Sequence, residues 1–210
     1  MFEAAELGRK LAKPEYETRL ASLRAGLLEA QREIRRAGVP VIVVIAGADG
    51  AGKGETVNRL HEWLDPRGLE SNVFGPLSDE ERDRPPYWRF WRTLPARGRV
   101  GIFFGSWYTD PIIRRAYRKS SPAEFEAQLA RIAFFEEMLA QDQGLIVKFW
   151  LHLAKKDQKK RLTDLSKSAK TRWRVNPIDW KHLKMYDRFV RASEEALRRT
   201  DSAGAPWTIV

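Results

Sequence analysis

Five consecutive β-branched residues, Val41 to Ile45, run directly into Gly47-Ala48-Asp49-Gly50-Ala51-Gly52-Lys53, and this junction leaves few folds open. An apolar run without alternation predicts a strand buried on both faces, as in a parallel sheet. The segment after it has the spacing G-x-x-x-x-G-K, in which backbone N–H groups cradle phosphate and the lysine reaches the outer phosphoryl group. Glycine permits the tight, partly positive-φ path that turns successive amides inward. The helix expected from about Gly52 adds its positive N-terminal end. Gly47, Gly50, Ala51, Gly52, Lys53 and Gly54 are therefore the candidate phosphate contacts, with Lys53 the candidate catalytic cation. The alternative is a tight glycine turn with no ligand.

Gly54 stands where most such loops place a Ser or Thr hydroxyl on Mg²⁺. Asp49 is the candidate replacement: a direct or water-mediated Mg²⁺ ligand, or the base that orients an attacking phosphate oxygen. A carboxylate that merely stabilises the turn is the other reading. The chain has no cysteine, and its three histidines, His61, His152 and His182, form no i,i+4 pair. Any metal would be held by oxygen.

Elsewhere the pattern alternates strands and helices. Leu20, Leu23, Leu27 and Ile34 predict an amphipathic helix within Glu15 to Arg36, and Glu55 to Leu64 a second, closed by Asp65-Pro66-Arg67-Gly68. Further strands are expected at Glu70 to Phe74, Arg99 to Phe104, Leu145 to Leu153 and from Trp207. Capping-box patterns start helices at Ser78 and Ser121, the latter continuing to Gly144. Lys155 to Leu165 reads as a basic helix, and Asn176-Pro177-Ile178-Asp179 opens a long terminal helix reaching about Arg199. Strand–helix alternation implies an α/β fold of three layers, a central parallel sheet flanked by helices. The last residues resemble a strand just beginning, so a piece of a longer protein is expected.

The chain carries a net charge of +10 over 210 residues, and the excess lies in two blocks, 81–119 and 148–199. Such blocks suit a polyanion, or else solvated helix faces. Arg89, Arg92, Arg97 and Arg99 are candidates to line a polyanion path. Trp88, Trp91, Trp107 and Tyr108 are candidates for stacking on a nucleobase or for packing, and Glu136 and Glu137 read as a solvated helix face. No nucleic-acid-binding motif is recognisable, and no stretch approaches the roughly 20 apolar residues of a membrane span. The charged opening lacks the apolar core of a signal peptide. No nucleic-acid or membrane partner is expected, and the expected location is cytoplasmic.

Several of these segments together resemble the type 2 polyphosphate kinases. GADGAGKGETV is similar to that family's phosphate loop, Asp65-Pro66-Arg67 to its motif after the loop helix, and Ser106-Trp107-Tyr108 to its second nucleotide-site motif. Lys148-Phe149-Trp150-Leu151-His152 with Gln158 resembles a later strand and helix. Trp173-Arg174-Val175-Asn176-Pro177-Ile178-Asp179 resembles the basic lid, and Ala205-Pro206-Trp207 the last strand. MFEAAELGRKL and SDEERDRPPYWRFWRTLP are similar to the N-terminal half of the family's tandem members, which phosphorylate AMP from polyphosphate.

The resemblance implies a P-loop kinase fold with a basic helical lid, inorganic polyphosphate as donor, AMP as acceptor giving ADP, and Mg²⁺. It implies one domain over 1–210, with a helical extension at 1–38, a basic helix and lid at about 155–180, and either a homo-oligomer or pairing with a second similar domain. Lys170, Arg172 and Arg174 would bring mobile charge over the transferring group, Arg172 and Arg174 as catalytic residues, and Arg67 and Arg92 would join the phosphate contacts. A solvated basic loop is the other reading of the lid. The chain also departs from the family. Phe104 and Gly105 stand where an Asp-Arg pair is usual, Thr109-Asp110 replaces Asn-Arg, and Ser168-Ala169 and Thr171 replace the lid's Asp-Pro and Lys. The alternative to turnover is thus a catalytically degenerate partner domain that captures polyphosphate or supports assembly. Phe104→Asp with Gly105→Arg is the substitution pair that would restore the missing charges.

Overall fold

Val41, Val43 and Ile45 pack on one side of strand β1 (Val41–Gly47) and Ile42 and Val44 on the other, so the two-residue period of the strand divides the interior into two cores. The computed structural model describes residues 1–8 and 11–210; Arg9 and Lys10 of the opening segment lie outside the described residues. Helices α1 (Lys13–Ala37) and α2 (Lys53–Trp63) cover the first side, where Ile34, Val57, Leu60 and Leu64 join the strand residues. Next in the chain come β2 (Leu69–Val73), the single turns α3 (Asp79–Arg82) and α4 (Trp88–Trp91), and β3 (Val100–Phe104). The second side is covered by α5 (Thr109–Ala116), α6 (Pro122–Gln141) and, after β4 (Leu145–Leu151), by α9 (Tyr186–Thr200). Helices α7 (Lys155–Lys167) and α8 (Pro177–Lys184) form the lid region, and β5 (Trp207–Ile209) ends the sheet.

All five expected strands are present and all pair in parallel, in the order β2-β3-β1-β4-β5. The chain leaves β1 toward one edge and β3 toward the other. The loops at their C-terminal ends therefore diverge and open a crevice over the middle of the sheet, where ligands of such sheets bind. Both capping boxes form, at Ser78 and at Ser121, although the first starts only four helical residues.

The expected terminal helix is two helices. Met185, at φ −102° and ψ 14°, interrupts it, so α8 follows the lid while α9 packs on α5 and α6. At the other end of the chain, Phe2 sits buried against His152, with ring centroids 4.4 Å apart.

Glu136, expected at a solvated surface, is 2% exposed. It follows Phe125, Leu129 and Ile132 at helical spacing and so belongs to the buried stripe of α6. Its Oε1 accepts hydrogen bonds from Trp107 Nε1 (2.9 Å) and Tyr108 Oη (2.6 Å), and its Oε2 accepts one from Lys148 Nζ (2.6 Å). Lys148 also donates to Tyr108 Oη and to the Thr200 carbonyl. Trp107 and Tyr108 are thus core residues, 2% and 1% exposed, although Tyr108 also borders the larger cavity described below. Desolvation lifts the Tyr108 hydroxyl well above its ordinary value, with the neighbouring Glu136 charge adding to it. Removing one member of a buried pair strands the other charge, at a cost of about 3–5 kcal/mol. Lys148→Met is expected to lower the unfolding free energy by about that much in urea titrations, and Glu136→Gln added to it to recover part of the loss.

Candidate active site

The phosphate loop is pinned to the end of β4. Ala48 N–H donates to the Leu151 carbonyl at 2.9 Å, and Gly47, at φ 137°, passes so close that a Cβ there would lie 2.1 Å from the same oxygen. Only glycine fits. Gly50 and Gly52 also have positive φ, and Gly52 caps α2, whose first-turn N–H groups lack intrahelical partners. Ala51 spends its own N–H on the Ala48 carbonyl, which removes it from the free donors. Lys53 Nζ folds back over the loop and donates to the Gly47 and Ala48 carbonyls at 2.7 and 3.0 Å, 3.6 Å from Asp49 Oδ1. Burial lowers the Lys53 pKa despite the attraction of Asp49.

Asp49 is gripped from two sides. Gln158 Nε2 of α7 donates to its backbone carbonyl at 3.0 Å, and His182 Nδ1 of α8 lies 2.6 Å from Oδ2. Burial raises the Asp49 pKa, but the His182 hydrogen bond and the Lys53 charge outweigh it, and the net shift is downward. His182 itself packs against Phe189 and Tyr117.

Two cavities meet at the loop. The larger, about 300 Å³, has an apolar wall of Phe74, Phe104, Ile112, Ile113, Phe189 and Val190 and a polar end of Asp49, Lys53, Gln158 and His182. The smaller, about 220 Å³, lies between the loop and the lid and includes Gly50, Gly52, Gly54, Glu55, Arg161 and Arg174. Asp49, Lys53 and Phe104 line both. In the smaller one, Glu55 Oε1 accepts from Arg174 and, at 3.3 Å, from Arg161. Partial burial raises the Glu55 pKa, yet its own backbone N–H and the two arginines hold it below the ordinary carboxylate value.

The other candidates lie elsewhere. Arg67 lies in the turn Pro66–Gly68 just before β2, level with the beginning of β1, and closes an ion pair with Asp65 at 2.6 Å. It is therefore at the opposite end of the sheet from the loop. Arg92 stacks over Trp88 at 4.6 Å and lines neither cavity. Arg89, Arg97 and Arg99 pair with Glu81, Asp142 and Glu70, and none of the three lines either cavity. Lys170 and Arg172 are exposed on the lid turn and also line neither cavity. His182, Glu55 and Arg161 were not singled out by sequence. Helical phase was the available signal: Asp179 and His182 share a face of α8, as Gln158, Arg161 and Leu165 share one of α7.

Among the described residues, no group of three or more His, Asp or Glu side chains could hold a metal, and Asp49 is the only carboxylate lining both cavities. That donor set fits a Mg²⁺ shared with substrate phosphates, which needs one or two protein carboxylates, and does not fit an all-protein cage.

Gly105 takes φ 74°, and a Cβ would meet the Phe74 carbonyl at 2.8 Å. Arginine at this position therefore strains the backbone, and Phe104→Asp alone is the cleaner way to restore a carboxylate. Gly105→Ala is expected to cost about 1–3 kcal/mol in thermal unfolding. The lowered Asp49 pKa stabilises the fold above the ordinary aspartate value of 3.8, and this contribution is lost as pH falls through the folded-state value. Carboxyl-carbon NMR should place Asp49 below 3.8, and His182→Ala should move its midpoint upward.

The model of the family "Polyphosphate kinase 2 (PPK2)" matches residues 10–210. A polyphosphate:AMP phosphotransferase of Pseudomonas aeruginosa is 47% identical over 211 residues, covering 100% of this chain and 42% of that protein. A GDP-polyphosphate phosphotransferase of Mycobacterium tuberculosis is 29% identical, over 99% of this chain and 70% of that one. Among solved structures, a polyphosphate kinase 2 of Arthrobacter aurescens superposes with a TM-score of 0.90 at 30% identity, over 97% of this chain and 74% of that chain. One of Pseudomonas aeruginosa gives 0.89 at 46% identity, over 100% and 42%. The chain thus spans less than half the length of the Pseudomonas relatives. With a family match over nearly its whole length, and the glycine-rich loop and parallel sheet described above, the chain belongs to the polyphosphate kinase 2 family.

Proposed function

We propose that the chain binds inorganic polyphosphate at the phosphate loop and transfers its terminal phosphoryl group to AMP, giving ADP and a polyphosphate one unit shorter. The observation that carries this reading is the convergence on one loop of the α2 N-terminus, Lys53 and, through the neighbouring cavity, Arg161 and Arg174. Three cations, Lys53, Arg161 and Arg174, face three carboxylates there, Asp49, Glu55 and Asp179, so the site offers several partners to a chain of phosphates, each now held by internal contacts. The names of the Pseudomonas relatives supply the acceptor.

In this mechanism an oxygen of the AMP phosphate attacks the terminal phosphorus in line, and the bond to the next polyphosphate unit breaks with its electrons staying on the shortened chain. Lys53 leaves the Gly47 and Ala48 carbonyls for the transferring oxygens, and the α2 amides hold those oxygens as charge moves. Arg174, on the lid turn, supplies further charge from above. Mg²⁺, held by Asp49 together with substrate phosphates, would neutralise charge between donor and acceptor. His182 and Gln158 fix the Asp49 carboxylate and backbone, and Phe104 gives the larger cavity part of its apolar wall. The reading requires the cytoplasm, where nucleotides are held, and pairing with a second similar domain or a second copy would fit the greater length of the relatives.

Incubating the chain with Mg²⁺, polyphosphate and AMP tests it. ADP should form, and Lys53→Ala should reduce the rate at least ~100-fold, the cost typical of losing one transition-state donor. Polyphosphate binding without ADP formation overturns turnover by this chain and assigns it capture or assembly. Phe104→Asp is expected to raise Mg²⁺ affinity, measured by titration in the presence of polyphosphate.

A further inference from the structure

We infer that the Glu55 carboxylate is a built-in competitor at the Arg161 and Arg174 pair of the proposed site, and that a polyphosphate chain must displace it. The inference rests on the proposed polyphosphate reading of the loop and deepens it. Arg161 comes from α7 and Arg174 from the lid turn, 106 and 119 residues from Glu55, yet both guanidinium groups converge on the same oxygen, Glu55 Oε1. All three side chains line the smaller cavity together with Lys53, the loop glycines and two further carboxylates, Asp49 and Asp179. Glu55 also sits in the first turn of α2, where the helix favours a negative charge, so one carboxylate occupies the position an anion would take.

The three side chains are 36% to 44% exposed. Ion pairs so open to water add little to stability, and a dissolved anion can reach them. Guanidinium groups bind phosphoryl oxygens in a bidentate fork at least as well as they bind a carboxylate. One carboxylate divided between two arginines is a weak occupant, whereas linked phosphates already anchored at Lys53 arrive at high effective concentration. Glu55 thereby filters ligands: a single phosphate has no anchor from which to displace it, and a chain does.

Calorimetric titration with sodium tripolyphosphate, and separately with orthophosphate, tests the inference. Glu55→Gln should tighten tripolyphosphate binding about 5-fold and steepen its salt dependence by about one counterion. Glu55→Asp, which keeps the charge, should stay near the unsubstituted chain. Arg161→Gln should weaken binding more in the Glu55→Gln background than alone, because only there is the arginine unopposed. Affinity unchanged or reduced by Glu55→Gln, with thermal unfolding intact, overturns the inference and makes Glu55 a strut for the lid. Lys53→Ala separates the two claims: unchanged tripolyphosphate binding there overturns the loop reading, whatever Glu55 does. Absence of binding in every variant overturns both.

Discussion

The site depends on one close approach, that of Gly47 to the end of β4. The Leu151 carbonyl takes the Ala48 N–H and leaves no room for a side chain at Gly47, so the loop's first turn is fixed by the sheet itself. With that turn fixed, the Gly52 cap and the direction of α2 follow, and Lys53 is carried back over the loop carbonyls. The cradle is therefore rigid where it meets the sheet. Its adjustable parts are side chains: Lys53, the Asp49 carboxylate, and the arginines drawn toward Glu55.

Those side chains share a common condition. Lys53 rests on carbonyls, Asp49 on His182, and Arg161 and Arg174 on Glu55. Each charge has an internal partner, so binding a polyanion exchanges one set of contacts for another. The net gain from such exchanges is small per contact and accumulates only when several are made together. Under the proposed function, a site arranged this way favours long anions.

The parallel sheet, the loop and the order of elements were legible in the sequence because each rests on local pattern: the Val41–Ile45 run, the glycine spacing, the Ser121 capping box. Side-chain placement across the fold was less legible. Arg67 looked like a phosphate contact from its motif, but strand register puts it at the sheet's other end. Glu136 looked solvated from its charge, but its phase on α6 buries it, and charge and phase gave opposite answers. His182 could be linked to Asp49 only by knowing that the last helix breaks at Met185, and no proline or glycine in the sequence marks that break.

The break at Met185 separates two mechanical roles. α9 is bound into the core through Ala192, Ala196 and Leu197, and the Thr200 carbonyl at its end accepts from Lys148. α8, before the break, touches α7 and carries His182 to the loop. A rotation about Met185 would therefore swing the lid and withdraw the histidine from Asp49 and from its ring contacts with Phe189 and Tyr117, while leaving the buried Glu136–Lys148 pair in place.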